Sequence, residues 1–249
     1  MKRVLPNGEA RFAFVSVVIM KMLGLLGGMS WESSIEYERA INTIVRERLG
    51  GTASADLLIR SFNFADIEEL QETGRWDEAG RTLAAAAKNL VAGGAEAIVI
   101  CTNTMHMLAD QIQTEISVPL IHIADVTAHA VRDANVSEVA LLGTRYTMEH
   151  DFYAGRLRDR FGLTVIVPDE PDRTRVHDII YEELVRGVVT EQSRSEYLDI
   201  IARCVDRGAK GVIAGCTEVE LLIQEHDVSV PYFPTARLHA MAAADFMLG

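Results

Sequence analysis

The amino-acid sequence predicts an α/β fold of two pseudo-twofold-related domains, each with a mainly parallel sheet flanked by helices. Short apolar runs alternate with longer amphipathic stretches along the 249 residues, a pattern typical of parallel sheets covered by helices. Three landmarks also recur in the same order, each after 112 to 116 residues. They are LLG at Leu25 and Leu141, Cys-Thr at Cys101 and Cys216, and SVP at Ser117 and Ser229. An ordered repeat of this kind indicates a duplicated α/β unit.

Eight apolar runs are predicted strands, and four longer stretches with apolar residues at helical spacing are predicted helices. The strands are 22–26, 56–62, 97–101, 120–123, 139–142, 163–167, 211–214 and 232–233. The helices are 33–48, 76–92, 172–187 and 195–207. Because the repeat suggests that the C-terminal segment folds back, residues 21–125 plus 219–249 are predicted to form the first domain and 126–218 the second.

Composition limits the classes of partner. The formal net charge is −12, and no cluster of lysine and arginine forms the basic face that phosphate binding requires, so a nucleic-acid partner is not expected. No run of about 18 apolar residues is present, so a membrane-spanning helix is not expected either. The three cysteines cannot all pair internally and are not spaced as a disulfide framework, which favours a reducing, cytoplasmic location.

Residues 1–20 are predicted to be an extension upstream of the folded chain. They begin with basic residues and contain an apolar stretch from Phe12 to Met20, as a secretion signal would. A signal peptide needs a longer apolar core and a small-residue cleavage site, and neither is found here. The extension is therefore the favoured interpretation, with a domain that starts near MKMLGLLGG.

Each Cys-Thr pair directly follows a predicted strand, a position that suits catalysis. Ligands of parallel α/β sheets bind beyond the carboxyl ends of the strands, so the duplication predicts that Cys101 and Cys216 face each other across one cleft. A helix starting after each thiol would offer free N–H groups and a positive dipole end, which bind carboxylate and lower a thiol pKa. One cysteine alone at a strand end is more often an inert small hydrophobe, and only the duplication favours a function.

Two thiols on opposite faces of a small substrate suit inversion of a stereocentre. One thiolate would remove the Cα proton, and the other thiol would return a proton to the opposite face. In the reverse direction the two thiols exchange roles, so one pair serves both enantiomers. A hydrolase needs one nucleophile, usually with a histidine and an orienting group, so the duplication argues against hydrolysis.

Four segments together resemble the aspartate/glutamate racemase family: GLLGGMSWESS, CTNTMH, GCTEVELL and the closing LHA. The resemblance covers residues 21–249 and implies an active site between two pseudo-symmetric α/β domains, a small amino-acid substrate, no cofactor, no metal and a homodimer. It assigns the acid/base roles to Cys101 and Cys216. Substrate contacts are implied at Thr102, Asn103, Thr104, Thr144, Thr217 and Glu218, and Ser30 is placed at the mouth of the first strand.

Two acidic residues depart from the pattern of that family. Asp56 falls where racemases of acidic substrates carry a basic or amide residue, and Glu170 stands near a position that is often lysine. An acid at either place would repel a side-chain carboxylate. Arg173 or Arg175 could substitute for the missing cation. Asp56 is retained as a candidate substrate contact, and the side chain of the substrate is left open as acidic, non-acidic or variable.

Other functions stay open alongside racemisation. Related enzymes isomerise or decarboxylate dicarboxylic acids, or racemise hydantoins, with one or both thiols. A catalytically weak ligand-binding protein would retain the fold with inert thiols.

Cys204 has no counterpart in the repeat and is expected to pack in the core. His106 is expected to lie on a helix face or behind the site and not to bind zinc, because it has no closed set of Cys/His partners. His122, His129 and His239 are expected to be structural, with a contact to a thiol possible for one of them. GLLGG lacks the glycine spacing of a dinucleotide site.

Overall fold

Two parallel sheets of four strands dominate the computed structural model, which describes residues 20–249. The strands are β1 Leu23–Gly27, β2 Leu57–Ser61, β3 Ala97–Ile100, β4 Leu120–Ile121, β5 Glu138–Gly143, β6 Thr164–Ile166, β7 Val212–Gly215 and β8 Tyr232–Pro234. Their order is β2-β1-β3-β4 in the first sheet and β6-β5-β7-β8 in the second. The predicted α/β fold with two parallel sheets is therefore confirmed. The predicted extension at 1–20 lies, apart from Met20, outside the described residues.

Helices cover both sheets. They are α1 Trp31–Leu49, α2 Phe64–Glu72, α3 Trp76–Ala92, α4 Ala109–Thr114, α5 Ile123–Asp133, α6 Arg145–Glu149, α7 Asp151–Phe161, α8 Asp172–Asp178, α9 Glu191–Asp206, α10 Val219–Leu222 and α11 Thr235–Leu248. A 3₁₀ turn, Thr104–Leu108, precedes α4. The predicted helix at 172–187 is divided: α8 passes into a π-helical turn, Ile179–Glu183, and then a 3₁₀ turn, Leu184–Arg186. No helix within residues 20–249 is long and apolar enough to cross a membrane.

The central strands are apolar on both faces because helices cover each sheet from two sides. In β3, Ala97 and Val99 pack into the cluster formed with α1 and α11, whereas Ile98 and Ile100 pack into the cluster formed with α3 and α4. All four side chains are fully buried. The same alternation determines on which face of the sheet the side chain that follows each strand lies.

Two helices are exchanged between the halves. α5 follows β4 of the first sheet, yet its Ala124, Ala128 and Val131 pack with Val139 and Leu141 of β5 in the second. α11 follows β8 of the second sheet and packs with β1 and α1 of the first. The exchange makes each half depend on a helix that the other half supplies.

The predicted domain division stays a prediction, and the C-terminal segment is shared between the halves. Within 219–249, which was assigned to the first domain, β8 pairs with β7 of the second sheet, whereas α11 packs on the first. The repeat explains this sharing. In each half the last strand of the sheet is followed by a helix that packs on the other half, namely α5 after β4 and α11 after β8.

Three buried histidines lie near the starts of the exchanged helices. The ring centroids of His106 and His122 are 4.8 Å apart, and those of His106 and His239 are 5.3 Å apart. The Nε2 of His239 lies 2.7 Å from the carbonyl oxygen of Ile121, and its Nδ1 lies 2.9 Å from the Tyr37 hydroxyl. Because a carbonyl only accepts, Nε2 carries the hydrogen and Nδ1 accepts from the tyrosine. Burial lowers the pKa of His122 to about 3 and that of His239 to about 4.

Lowering the pH from 7 to 5 is expected to destabilise the fold through these rings. Each ring is neutral when folded, whereas an unfolded histidine takes up a proton near pH 6.5. The folded pKa of His239 is about 4. Its contribution to stability is therefore complete above pH 6.5 and is lost as the pH falls towards 4, with about 2 kcal/mol lost at pH 5. Urea unfolding at both pH values measures the loss.

His239→Gln is the matched variant for this test. A glutamine side chain can accept from Tyr37 and donate to Ile121 but does not titrate, so the variant should lose about 2 kcal/mol less than the wild type between pH 7 and 5. Ser195→Ala, a substitution at an exposed residue that does not titrate, should leave the pH dependence unchanged. An unaltered pH dependence in a folded His239→Gln variant would contradict the assignment.

Candidate active site

Polar side chains from four strand ends meet at a small cavity between the halves. They are Ser30 after β1, Thr102, Asn103 and Thr104 after β3, Thr144 after β5, and Cys216, Thr217 and Glu218 after β7. The volume of the cavity is about 30 Å³, and a cavity needs at least about 10–15 Å³ by this measure to hold one water molecule. Eight of the ten residues predicted for the site thus come together, and Cys101 and Asp56 do not.

The carboxylate of Glu218 connects the two halves at this cavity. Its Oε1 accepts hydrogen bonds from the hydroxyls of Ser30 and Ser33 at the start of α1, both at 2.7 Å. Its Oε2 accepts from the thiol of Cys216, with 3.0 Å between the sulfur and the oxygen. Glu218 is only 6% exposed. These three hydrogen-bond donors replace the water molecules that its carboxylate loses on burial.

The environment of Cys216 favours the protonated thiol. Burial raises its pKa well above the usual value, and the negative charge of Glu218 raises it further. The backbone N–H groups of Glu218 and Val219 act in the opposite direction and are outweighed. The backbone N–H groups after Cys216 thus lower its pKa as expected, but the expected net lowering is wrong because burial and the adjacent carboxylate outweigh them. The helix that follows, α10, is short, and the adjacent carboxylate carries a full negative charge.

Cys101 lies apart from the cavity lining. It continues the alternation of β3, so its side chain packs with Val99 and Ala236 on the side of α1 and α11. It is 1% exposed, and burial raises the pKa of its thiol well above the usual range. The structure thus brings Cys216 but not Cys101 to the cavity surface, and the pairing of the two thiols stays a prediction.

Further polar contacts cross between the halves beside Glu218. The hydroxyl oxygens of Thr104 and Thr144 are 3.0 Å apart. The amide nitrogen of Asn103 donates to the Thr235 hydroxyl at 3.0 Å, and that hydroxyl donates to the Ala214 carbonyl at 2.6 Å. The amide oxygen of Asn103 is buried and has no partner among the described residues. A buried acceptor beside a cavity suits a ligand that donates hydrogen bonds.

Asp56 is not at the cavity, contrary to the sequence prediction. It is exposed and precedes β2, where its carbonyl oxygen accepts from the backbone N–H of Leu23 at 3.0 Å. Because the strands are parallel, the amino end of β2 lies at the edge of the sheet away from the cavity. The residue that reaches the cavity from beyond the carboxyl end of β2 is Phe64.

The charged side chains that follow β6 also lie outside the cavity lining. Glu170 is exposed and accepts from Arg173 at 3.1 Å, and Arg173 also pairs with Glu149 at 3.0 Å. Arg175 pairs with Glu196 at 2.5 Å. The two arginines that could have supplied a cation are therefore engaged in ion pairs away from the cavity.

Seven further residues complete the wall, and none of them was predicted from the sequence. Gln71 of α2 is buried, and its Oε1 lies 3.3 Å from the donating hydroxyl of Tyr181 in the π-helical turn. The remaining lining residues are Met29, Phe64, Ile180, Val185 and Gly215. The one available signal was a glutamine on the apolar stripe of α2, beside Ile67 and Leu70.

The cavity holds few groups of the kinds that bind metals. Cys216 and Glu218 are the lining residues of metal-ligand type, and the two are hydrogen-bonded to each other. No group of three or more His, Cys, Asp or Glu is arranged to hold a metal ion anywhere in residues 20–249.

Comparison with known proteins gives a consistent result. A family model described as Asp/Glu/Hydantoin racemase matches residues 26–243. A Yersinia pestis structure assigned to the Asp/Glu racemases is 50% identical, with a TM-score of 0.88 over 92% of this chain and 100% of its own. An aspartate racemase homologue from Pyrococcus horikoshii OT3 is 35% identical, with a TM-score of 0.80 over 92% and 99%. Glutamate racemase from Francisella tularensis, solved with D-glutamate, shares the fold at 16% identity and a TM-score of 0.64, over 92% and 81%.

Ser33→Ala is expected to weaken the connection between the halves. The substitution removes one of the two hydroxyls that donate to Oε1 of Glu218, and a hydrogen bond to a charged group contributes about 2 kcal/mol. Urea unfolding should show a loss of that size, whereas the exposed Ser195→Ala should stay within about 0.5 kcal/mol of the wild type. Equal stability of the two variants would contradict the role given to Ser33.

Glu218→Gln is expected to make Cys216 reactive at lower pH. Removing the negative charge lowers the pKa of the thiol, and the amide keeps a similar shape. Iodoacetamide alkylation would be followed against pH in a background of Cys101→Ala and Cys204→Ala, so that one thiol reports. The midpoint should fall, whereas the exposed Glu225→Gln should leave it in place. A midpoint that does not fall would refute the electrostatic coupling.

Proposed function

The chain belongs to the Asp/Glu/Hydantoin racemase family. From this premise we propose that it inverts the α-carbon of an amino acid without a cofactor. Cys101 and Cys216 would act as the acid/base pair. Membership of a racemase family supports an isomerase. A cytoplasmic location and a homodimer remain predictions from the sequence and the resemblance.

The observation that carries the proposal is the Cys216–Glu218 contact in a polar cavity between duplicated halves. The thiol stands at the carboxyl end of a central parallel strand, where α/β proteins bind their ligands. Threonine hydroxyls and the unpartnered amide oxygen of Asn103 surround the same space. These groups suit an α-carboxylate, which accepts hydrogen bonds, and an α-ammonium, which donates them.

The proposed reaction moves two protons and leaves the protonation states of the two thiols exchanged, and proton exchange with water restores them before the next turnover in the same direction. A thiolate on one side takes the Cα proton and becomes a thiol, while the electron pair of the C–H bond remains on the substrate. The thiol on the other side gives its proton to the opposite face of the carbon and becomes a thiolate. Hydroxyl donors such as Thr104 and Thr144 would stabilise the negative charge that develops on the substrate carboxylate.

The cleft must open before a substrate can bind. A space of about 30 Å³ is far smaller than an amino acid. The halves would separate by breaking the Glu218 contacts with Ser30 and Ser33 and the contact between Thr104 and Thr144. We propose that the same movement gives Cys101 access to the substrate, and that the α-ammonium supplies the positive charge that favours a thiolate.

One observation favours a second candidate function. Cys216 lines the cavity and Cys101 does not, which is the arrangement expected of an enzyme that uses one thiol. Related one-thiol chemistry, such as isomerisation or decarboxylation of a dicarboxylic acid, is the alternative. Product identification by NMR on a panel of substrates separates the two candidates, because decarboxylation loses carbon dioxide and racemisation does not.

Cys101→Ala and Cys216→Ala should each reduce racemisation by about 100- to 10,000-fold, because each removes one proton-transfer group. Solvent deuterium entry at Cα of single enantiomers in D2O, with chiral chromatography of the product, measures the effect. Cys204→Ala changes a buried cysteine of α9 that does not line the cavity, so it is the matched control and should retain activity.

The variants also separate the two candidates. Loss of activity in Cys216→Ala with near wild-type activity in Cys101→Ala would contradict the two-thiol mechanism and favour the one-thiol alternative. Far-UV circular dichroism of each variant shows that the fold is retained.

A further inference from the structure

Part of the cavity lining is uncharged and largely apolar. Met29 and Phe64 come from the first half, and Ile180, Tyr181 and Val185 come from the helical turns after α8. The polar group among them is the hydroxyl of Tyr181, which donates to the side-chain oxygen of Gln71 at 3.3 Å. Such a lining can bury an apolar group and can form hydrogen bonds with a neutral polar one.

This lining contains no cation. Within residues 20–249, no lysine, arginine or histidine lines the cavity, and Glu218 is its one charged residue. Two arginines next to the site in sequence are engaged elsewhere. Arg145 is exposed, with a guanidinium nitrogen 3.0 Å from His177, and Arg60 lies 4.7 Å from the centre of the Phe62 ring. A second carboxylate on a substrate would therefore meet a negative charge and no positive partner.

The surroundings of Tyr181 point in the same direction. Burial raises the pKa of its hydroxyl well above the usual range, and nearby Glu68 and Glu218 raise it further. An anionic substituent placed on this side of the cavity would therefore lie near the carboxyl groups of Glu68 and Glu218, with no cation among the described lining residues. The ion pairs of Arg173 and Arg175 outside the cavity do not offset them.

We propose that the substituent on the stereogenic carbon of the substrate is uncharged. It would lie against Phe64, Ile180 and Val185, with the Gln71–Tyr181 pair available to a neutral polar end. The inference rests on the proposed racemase activity and adds the class of substrate to it. Two classes of compound have a stereogenic C–H carbon with an uncharged substituent. They are neutral amino acids, in which this carbon is Cα, and 5-substituted hydantoins, in which it is C5.

Deuterium entry at the stereogenic carbon, measured by ¹H NMR in D2O on the full chain, tests this inference. The panel is L-methionine, L-glutamine, L-phenylalanine, L-aspartate, L-glutamate and 5-benzylhydantoin, each corrected for exchange without protein. The best uncharged substrate should exceed both dicarboxylic amino acids at least tenfold in kcat/KM. A smaller margin, or a preference for aspartate or glutamate, would overturn the inference while leaving the racemase proposal intact.

The other outcomes separate the two proposals. Exchange of the hydantoin alone would support an uncharged substituent and contradict the amino-acid substrate. Exchange of no member of the panel would contradict the racemase proposal and, with it, the inference. If Cys216→Ala abolishes deuterium exchange, the exchange seen with the wild type takes place at the cavity.

A paired substitution tests the missing cation directly. Val185 is half-buried in the lining, so Val185→Lys would bring an ammonium group to the cavity, and Val185→Met would add similar length without charge. The lysine variant should gain at least tenfold in kcat/KM for aspartate or glutamate, and the methionine variant should not. A folded Val185→Lys variant with unchanged discrimination would contradict the inference.

Discussion

The buried carboxylate of Glu218 is the interaction on which the arrangement of the cavity depends. A buried charge is tolerated only where hydrogen bonds replace its lost hydration, and here two of the three donors are serines of the other half. The third donor is the Cys216 thiol, so the group that closes the cleft also orients the sulfur. In the proposed opening of the cleft, Glu218 would lose the two serine donors, and water or the ammonium group of a substrate would replace them. Closure, thiol orientation and ligand binding are therefore linked through one side chain.

The exchange of α5 and α11 restricts how that cleft can open. Each half contains a helix from the other as part of its core, so the halves cannot separate freely. The chain crosses between them at the starts of these helices, where His122 and His239 are buried. The Tyr37–His239–Ile121 hydrogen bonds connect α1, α11 and β4 at one crossing. A rotation about these crossings would open the side that carries Glu218 and leave the crossings packed.

Local patterns explain why so much of the cavity was predictable, and strand register explains part of what was not. Buried strands that end in polar residues leave a signal in the sequence, and the repeat identified both Cys-Thr turns. In the first sheet, however, Leu25 pairs with Val99, two residues before the first thiol. In the second sheet its counterpart Leu141 pairs with Ile213, three residues before the second thiol. A shift of one residue moves a side chain to the other face of a sheet, so the repeat could not show the different surroundings of the two cysteines. Gln71 and Tyr181 come from helical segments with no equivalent signal.

The unequal surroundings of the two thiols are compatible with the proposed racemisation. Enantiomers have equal free energies in solution, so kcat/KM must be the same in both directions however much the two thiols differ. The difference between the two thiols can determine which of them carries a proton in the substrate-free protein. The charge of Glu218 favours a proton on Cys216, so in the proposed cycle Cys216 starts as the acid and a thiolate at Cys101 is the base. Because burial disfavours that thiolate strongly, it would form only when a substrate ammonium enters the opened cleft. The thiolate that removes the Cα proton would then exist mainly while the substrate is bound, which protects it from oxidation between turnovers.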